Sequence, residues 1–215
     1  KLHGRNIISW TTLIMGYDKH GHGERALGCF EQIRSVGMPL NAITYICSLK
    51  ACRNIGNINK GCEIHIELER KGLLRNNLIL ASSLVDMYAK CGALAKAKHV
   101  FDELYVWDVV SWTTLGAGYV KHKHYSKALN YFKQMQFEGV PPNAVTFVFV
   151  LKSCGRLGAL GTGLETHMEI DRKGIPVKDL MVGNALIDMY AEFGLLRQAQ
   201  ESFDKLPIHD IVSWT

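Results

Sequence analysis

The strongest constraint on this chain is that it repeats itself. The segment Ser9-Trp10-Thr11-Thr12-Leu13 returns as Ser111-Trp112-Thr113-Thr114-Leu115, and Val212-Ser213-Trp214-Thr215 begins a third copy, at an offset of 102 residues each time. About four in ten positions of 7–108 recur unchanged in 109–210, far above chance for a fixed period. Each 102-residue unit holds three related pieces, 7–41, 42–77 and 78–108, followed by 109–143, 144–179 and 180–210, with lengths of 35, 36 and 31. Residues 211–215 open a further piece.

The pieces share one plan. Each begins with apolar residues at helical spacing, meets a turn signal about fifteen residues in, and resumes with a second amphipathic segment. The turn glycines are Gly21, Gly56, Gly92, Gly158 and Gly194, while the fourth piece carries Lys123 and must turn without one. Second segments pair an alanine with a phenylalanine four residues on (Ala26/Phe30, Ala97/Phe101, Ala128/Phe132, Ala199/Phe203), placing a small and a large residue on one helix face. Gly37, Gly72, Gly139 and Gly174 close four pieces, as expected where a helix ends in a left-handed residue. This pattern predicts an all-α fold, a right-handed α-solenoid of helix-turn-helix hairpin repeats. It is expected to form a single array over 1–215 in which each hairpin buries its apolar face only against its neighbours.

Composition narrows the function classes. With 215 residues and 47% apolar content the chain can bury a substantial core. No apolar run reaches the eighteen or so residues of a membrane-spanning helix, and Lys1 heads no signal-like stretch, so the expectation is a soluble piece of a longer protein without a membrane partner. The six cysteines (Cys29, Cys47, Cys52, Cys62, Cys91, Cys154) are too irregular for a disulfide scaffold and point to buried thiols in a reducing compartment. A net charge of +5 is a mild bias toward a polyanion.

The cycle of 35, 36 and 31 residues, together with "VVSWTTL", "AVTFVFVLKSCGRLGAL" and "NALIDMYAEFG", resembles the plant PLS-class pentatricopeptide repeat proteins over nearly the whole chain. In that class the pieces are P type (7–41, 109–143), L type (42–77, 144–179) and S type (78–108, 180–210), and 211–215 opens the next P repeat. The resemblance implies binding of single-stranded RNA, one base per repeat, as the site-recognition part of a factor for cytidine-to-uridine editing or processing of organelle RNA in a mitochondrion or chloroplast.

It also assigns residues. The fifth and last residues of P and S repeats select the base: Thr11 with Asn41, Ser82 with Asp108, Thr113 with Asn143, and Asn184 with Asp210. By the family's preferences these give 5′-A-x-G-A-x-U-3′. The second residues, Ile8, Ile43, Ile79, Val110, Val145 and Met181, sandwich the bases. L-type repeats carry Ile46 and Val148 at the fifth place and are assigned no base. The resemblance further implies small editing-cofactor proteins docking at those L-type repeats.

Physical chemistry supports such a code, since short donors and acceptors can read a base edge splayed from a single strand. Thirteen residues into the repeats, Lys19, Lys90, Lys121 and Arg156 form a basic stripe expected to contact phosphates, interrupted by Asn54 and Glu192.

Other features have plainer readings. Trp10, Trp112 and Trp214 fall on the apolar face of first helices and are expected in the core rather than stacked on bases. His20, His22, His122 and His124 lie at turns with no third ligand at zinc spacing. Cys52, Cys62 and His65 can be drawn as a metal set, yet the equivalent repeat keeps Cys154 and His167 while replacing Cys62 with Leu164, so neither metal nor other cofactor is expected. Asp86, Asp188, Asp102 and Asp204 recur with the repeat instead of converging, and the paired HxE…CxxC deaminase signature is missing, so no enzyme is expected in this chain. The competing function is a protein-interaction solenoid, whose apolar groove would resist salt where RNA binding would not.

Overall fold

The computed structural model describes residues 6–75, 77–104, 107–175 and 180–206. They form twelve helices and, among the described residues, no strand: α1 (Ile7–Lys19), α2 (Gly23–Ser35), α3 (Ala42–Ile55), α4 (Ile58–Arg70), α5 (Leu78–Lys90), α6 (Leu94–Asp102), α7 (Val109–Lys121), α8 (Tyr125–Phe137), α9 (Ala144–Leu157), α10 (Leu160–Arg172), α11 (Leu180–Glu192) and α12 (Leu196–Asp204). Residues 6–106 and 107–206 belong to two compact units of six helices each. No described helix is long and apolar enough to cross a membrane.

Helix starts and turns follow local chemistry. Asn6, Asn41, Asn77, Asp108 and Asn143 each cap a first helix by accepting its third backbone N–H, one of the groups that a helix start leaves without a partner. Hairpin turns hold one residue at positive φ. Five are glycines, with φ from 68° to 83°; in the fourth hairpin Lys123 adopts φ 63° and is the only described non-glycine to do so. The 31-residue pieces are short because their second helices, α6 and α12, have nine residues instead of thirteen.

Contacts run only between elements close in sequence. In the first unit α1 packs on α2 and α3, and α3 packs on α4 and α5; in the second, α7 packs on α8 and α9, and α9 packs on α10 and α11. First helices thus stack on first helices, the arrangement of a helical-hairpin solenoid in which no hairpin buries its face alone.

The small-large pairing supplies the core, with Ala26, Phe30, Ala97, Phe101, Ala128 and Phe132 all buried. Trp10 and Trp112 are buried at 2% and 1% exposure, as the core reading expects, whereas Trp214 lies outside the described residues.

Candidate nucleic-acid interface

Five first helices, α1, α3, α5, α7 and α9, open on a described capping residue, with the second residue of the repeat two places after it. On that second position all six side chains are apolar and exposed, five of them by half or more: Ile8 69%, Ile43 56%, Ile79 70%, Val110 54%, Val145 42% and Met181 50%. Fully burying such a side chain is worth roughly 1.5–3 kcal/mol, so exposing one at the same position of every repeat forgoes part of that stabilisation six times over. Their recurrence separates them from ordinary scattered surface apolar residues.

The fifth positions differ among themselves. Thr11 and Thr113 are buried, each donating its hydroxyl to a carbonyl one turn back, Ile7 O at 2.8 Å and Val109 O at 2.8 Å. Ser82, Asn184, Ile46 and Val148 are half-buried.

Every described last-position residue is a helix cap. Asn41 Oδ1 accepts Thr44 N–H at 2.8 Å and the Thr44 hydroxyl at 2.9 Å. Asp108 Oδ1 accepts Ser111 N–H at 2.8 Å and its hydroxyl at 2.6 Å. Asn143 Oδ1 takes the same pair from Thr146, at 2.9 and 3.1 Å. Asp210 lies outside the described residues.

Capping alone therefore accounts for an Asn or Asp at this place. Asn77, which ends the second piece, caps α5 in the same way, so short polar residues there do not by themselves argue for RNA.

In the first repeat the two residues expected to select the base, Thr11 and Asn41, meet through a third. Thr44 Oγ1 lies 2.9 Å from both Thr11 Oγ1 and Asn41 Oδ1. Thr11 and Thr44 each have one hydroxyl proton for three short contacts, Thr11 to Ile7 O, Thr11 to Thr44 and Thr44 to Asn41, so the three contacts share two protons. The pair Ser82 and Asp108 is divided between the two units. The sequence reading missed Thr44, Ser111 and Thr146; the signal was a Ser or Thr three residues after a capping Asn or Asp, a variant of the capping box.

The basic stripe sits at helix C-termini, where cations also favour the helix dipole. Lys19, Lys90 and Lys121 are the exposed final residues of α1, α5 and α7. Arg156 is held by Glu192 at 2.6 Å, so the acid that interrupts the stripe in the sixth piece also neutralises its neighbour in the fifth. Asn54, the other interruption, donates to Asp18 at 2.8 Å.

Among the described residues no group of three His, Cys, Asp or Glu side chains is placed to hold a metal ion. His20 and His122 end α1 and α7, and His22 and His124 precede α2 and α8. His65 and His167 instead make the same packing contact in each unit, with Nδ1 at 3.0 Å from the Tyr88 hydroxyl and 2.6 Å from that of Tyr190. Burial holds both imidazoles below their usual pKa, against the pull of Glu69 and Asp171 respectively.

Burial pushes the Cys52 thiol up to about 12 and Cys154 up to about 11. It would raise Cys62 as well, but hydrogen bonds from Lys96 Nζ (3.0 Å) and the Tyr88 hydroxyl (3.5 Å) outweigh it and leave that thiol below its ordinary value. Asp86 binds Arg53 at 2.6 Å and tethers α5 to α3, a structural task. Glu67, which completes an HxE triplet with His65, accepts from Tyr45 at 2.6 Å and Lys71 at 2.8 Å, and no CxxC follows it in the chain.

A series of helical hairpins with an exposed apolar residue at the second position of every first helix defines the class, and comparison with known proteins names the family. A family model described as "PPR repeat family" matches residues 5–54 and 107–156, and a second, "PPR repeat", matches 80–107 and 184–211. The chain belongs to the pentatricopeptide repeat family. It is similar to the chloroplastic pentatricopeptide repeat-containing protein CRR2 of Arabidopsis thaliana, 36% identical over 220 residues covering 100% of this chain and 33% of that protein. The mitochondrial protein At1g06140 of the same plant is 34% identical over 211 residues, covering 98% of this chain and 38% of its own length. The chain thus spans about a third of the length of these relatives.

Among solved structures, PPR10 in complex with an 18-nt psaJ RNA element superimposes with a TM-score of 0.79 at 25% identity, covering 99% of this chain and 32% of that one. The structure of PPR10 from maize gives a TM-score of 0.71 at 18% identity, with 98% and 31% covered, a likeness of fold.

Proposed function

We propose that this chain is part of a sequence-specific single-stranded RNA-binding protein that works in a mitochondrion or chloroplast, and that it reads RNA without catalysing a reaction. The observation that carries this reading is the exposed apolar side chain at the second position of all six hairpins. A flat apolar surface repeated once per hairpin is suited to stacking bases, which present a π-face whatever their identity. The likeness to PPR10, which was crystallised in complex with an 18-nt psaJ RNA element, supports the same ligand class.

The finer reading is that the six hairpins form one PLS-class array preferring 5′-A-x-G-A-x-U-3′. Bases are selected by Thr11/Asn41, Ser82/Asp108, Thr113/Asn143 and Asn184/Asp210, and phosphates are met by Lys19, Lys90 and Lys121, with Arg156 contributing less because of Glu192. In the longer protein the array serves organelle RNA editing or processing, and the half-buried Ile46 and Val148 belong to repeats that meet editing-cofactor proteins.

Fluorescence anisotropy tests this. RNA carrying A-x-G-A-x-U is expected to bind more tightly than the same RNA with uracil for guanine, and both to weaken steeply with salt. Ser82→Asn is expected to move the third repeat's preference from guanine to uracil. Binding that ignores both salt and base would favour an apolar peptide as the ligand.

A further inference from the structure

The last residue of a hairpin is also the cap of the next helix, and this double duty fixes which of its atoms faces outward. A backbone N–H can only donate, so the Asn41 atom at 2.8 Å from Thr44 N is the amide oxygen. The Thr44 hydroxyl adds a second bond to that same oxygen at 2.9 Å. With both lone pairs of Oδ1 occupied, Asn41 has only its NH2 group left to offer. Asn143 is held alike by Thr146, and Asn6 by Ser9 N–H at 2.9 Å and its hydroxyl at 3.0 Å. Asp108, with Oδ1 taken up by Ser111, is left with Oδ2 as an acceptor.

The second bond always comes from the third residue of the following hairpin: Ser9, Thr44, Ser111 or Thr146. After the two pieces whose fifth residue is apolar, Ile46 or Val148, the corresponding residue is Leu80 or Val182, with no hydroxyl. Among the described residues Asn77 accepts only the Leu80 N–H, at 3.0 Å. The extra hydroxyl thus accompanies the repeats that carry a polar fifth residue and is absent after those that do not. Since Asn77 caps α5 without it, a hydroxyl is not needed to start the helix.

We propose that Thr44, Ser111 and Thr146 are specificity-determining positioning residues: Thr44 and Thr146 lock the preceding Asn so that it shows a base only donors, and Ser111 fixes which carboxylate oxygen of Asp108, an acceptor in either case, is left to face a base. Adenine N1 and cytosine N3 accept a hydrogen bond, whereas guanine N1–H and uracil N3–H donate one. A doubly held Asn therefore opposes guanine and uracil, while an Asn held by a single bond can turn its amide over at lower cost. In the first repeat the Thr44 hydroxyl also lies 2.9 Å from that of Thr11, so Thr44 touches both the fifth residue and the last. This inference rests on the RNA-binding reading above.

The test measures the affinity of the whole chain for A-x-G-A-x-U RNA and for the same RNA with guanine at the first base. Thr44→Val is the informative variant: Val182 occupies the equivalent buried position in α11, so the fold accepts valine there. One lost hydrogen bond is expected to lower the adenine-over-guanine ratio by about fivefold, with the salt dependence unchanged. Thr44→Ser is expected to restore the ratio, and Asn41→Asp to invert it. An Asn41→Asp variant with an unaltered ratio would overturn the underlying register. An inverted ratio in Asn41→Asp beside a wild-type ratio in Thr44→Val, or a serine variant that behaves like valine, would overturn the positioning role alone.

Discussion

Replacing Lys123 with glycine should stabilise the protein. The fourth hairpin turns on Lys123 at φ 63°, where the first turns on Gly21 at φ 75°. The two turns are otherwise alike. Lys123 N donates to Val120 O at 2.9 Å and His124 N to Tyr119 O at 2.8 Å, while Gly21 N donates to Asp18 O at 3.1 Å and His22 N to Tyr17 O at 2.8 Å.

The difference is therefore the Cβ atom and an exposed side chain. A left-handed backbone costs a residue with a Cβ roughly 1–2 kcal/mol. Glycine returns about 0.5–1 kcal/mol of that through the greater freedom of the unfolded chain. The net gain for Lys123→Gly is about 0.5–1 kcal/mol, or about 2–4 °C per kcal/mol in melting temperature for a chain of this size. Urea unfolding followed by far-ultraviolet circular dichroism should show a higher midpoint with the slope preserved. Lys123→Ala keeps the Cβ and should show no such gain. A lowered midpoint for glycine, or an equal gain for alanine, would refute the argument from backbone strain.

Two further outcomes follow from the titrating groups. His65 and His167 are held below their usual pKa by burial, so the folded state favours their neutral forms. Their contribution to stability is complete above the unfolded value of about 6.5 and is lost as pH falls from there toward the lowered folded values. Urea midpoints should accordingly drop between about pH 7 and pH 5, and less so in a His65→Gln, His167→Gln double variant; parallel profiles would contradict the assignment. Thiol alkylation followed by mass spectrometry at about pH 8 should reach Cys62 well before Cys52 and Cys154, and Lys96→Met should slow Cys62 several-fold, whereas an unchanged rate would remove Lys96 from the explanation.

Much of the fold was legible because it is local. A capping Asn or Asp, an apolar face at helical spacing and a glycine at the turn act within a few residues of one another. The first helices accordingly begin at residues 7, 42, 78, 109, 144 and 180, where the repeat pattern restarts. The fourth piece was expected to turn without a glycine, and the structure adds that Lys123 does so with a left-handed backbone at φ 63°. The burial of Trp10 and Trp112, and the exposure of the residues two places before them, follow from the same periodicity.

What a polar side chain does depends instead on its neighbours in the next hairpin, some 33 to 36 residues away in sequence. Thr11 and Thr113 look like surface readers along the chain, yet both are buried with their hydroxyls turned to the backbone. Arg156 reads as part of a basic stripe until α11 brings Glu192 against it. Cys62 reads along the chain as one more buried thiol, yet the structure leaves it half-buried and α6 brings Lys96 to its sulfur. The sequence by itself determined the repeat, the helix boundaries and the apolar second positions, because periodicity and capping are short-range. Only the tertiary structure decided which polar groups are spent on holding hairpins together and which atoms of the capping residues are left to face a ligand, because hydrogen bonds and ion pairs are settled by distances between stacked helices.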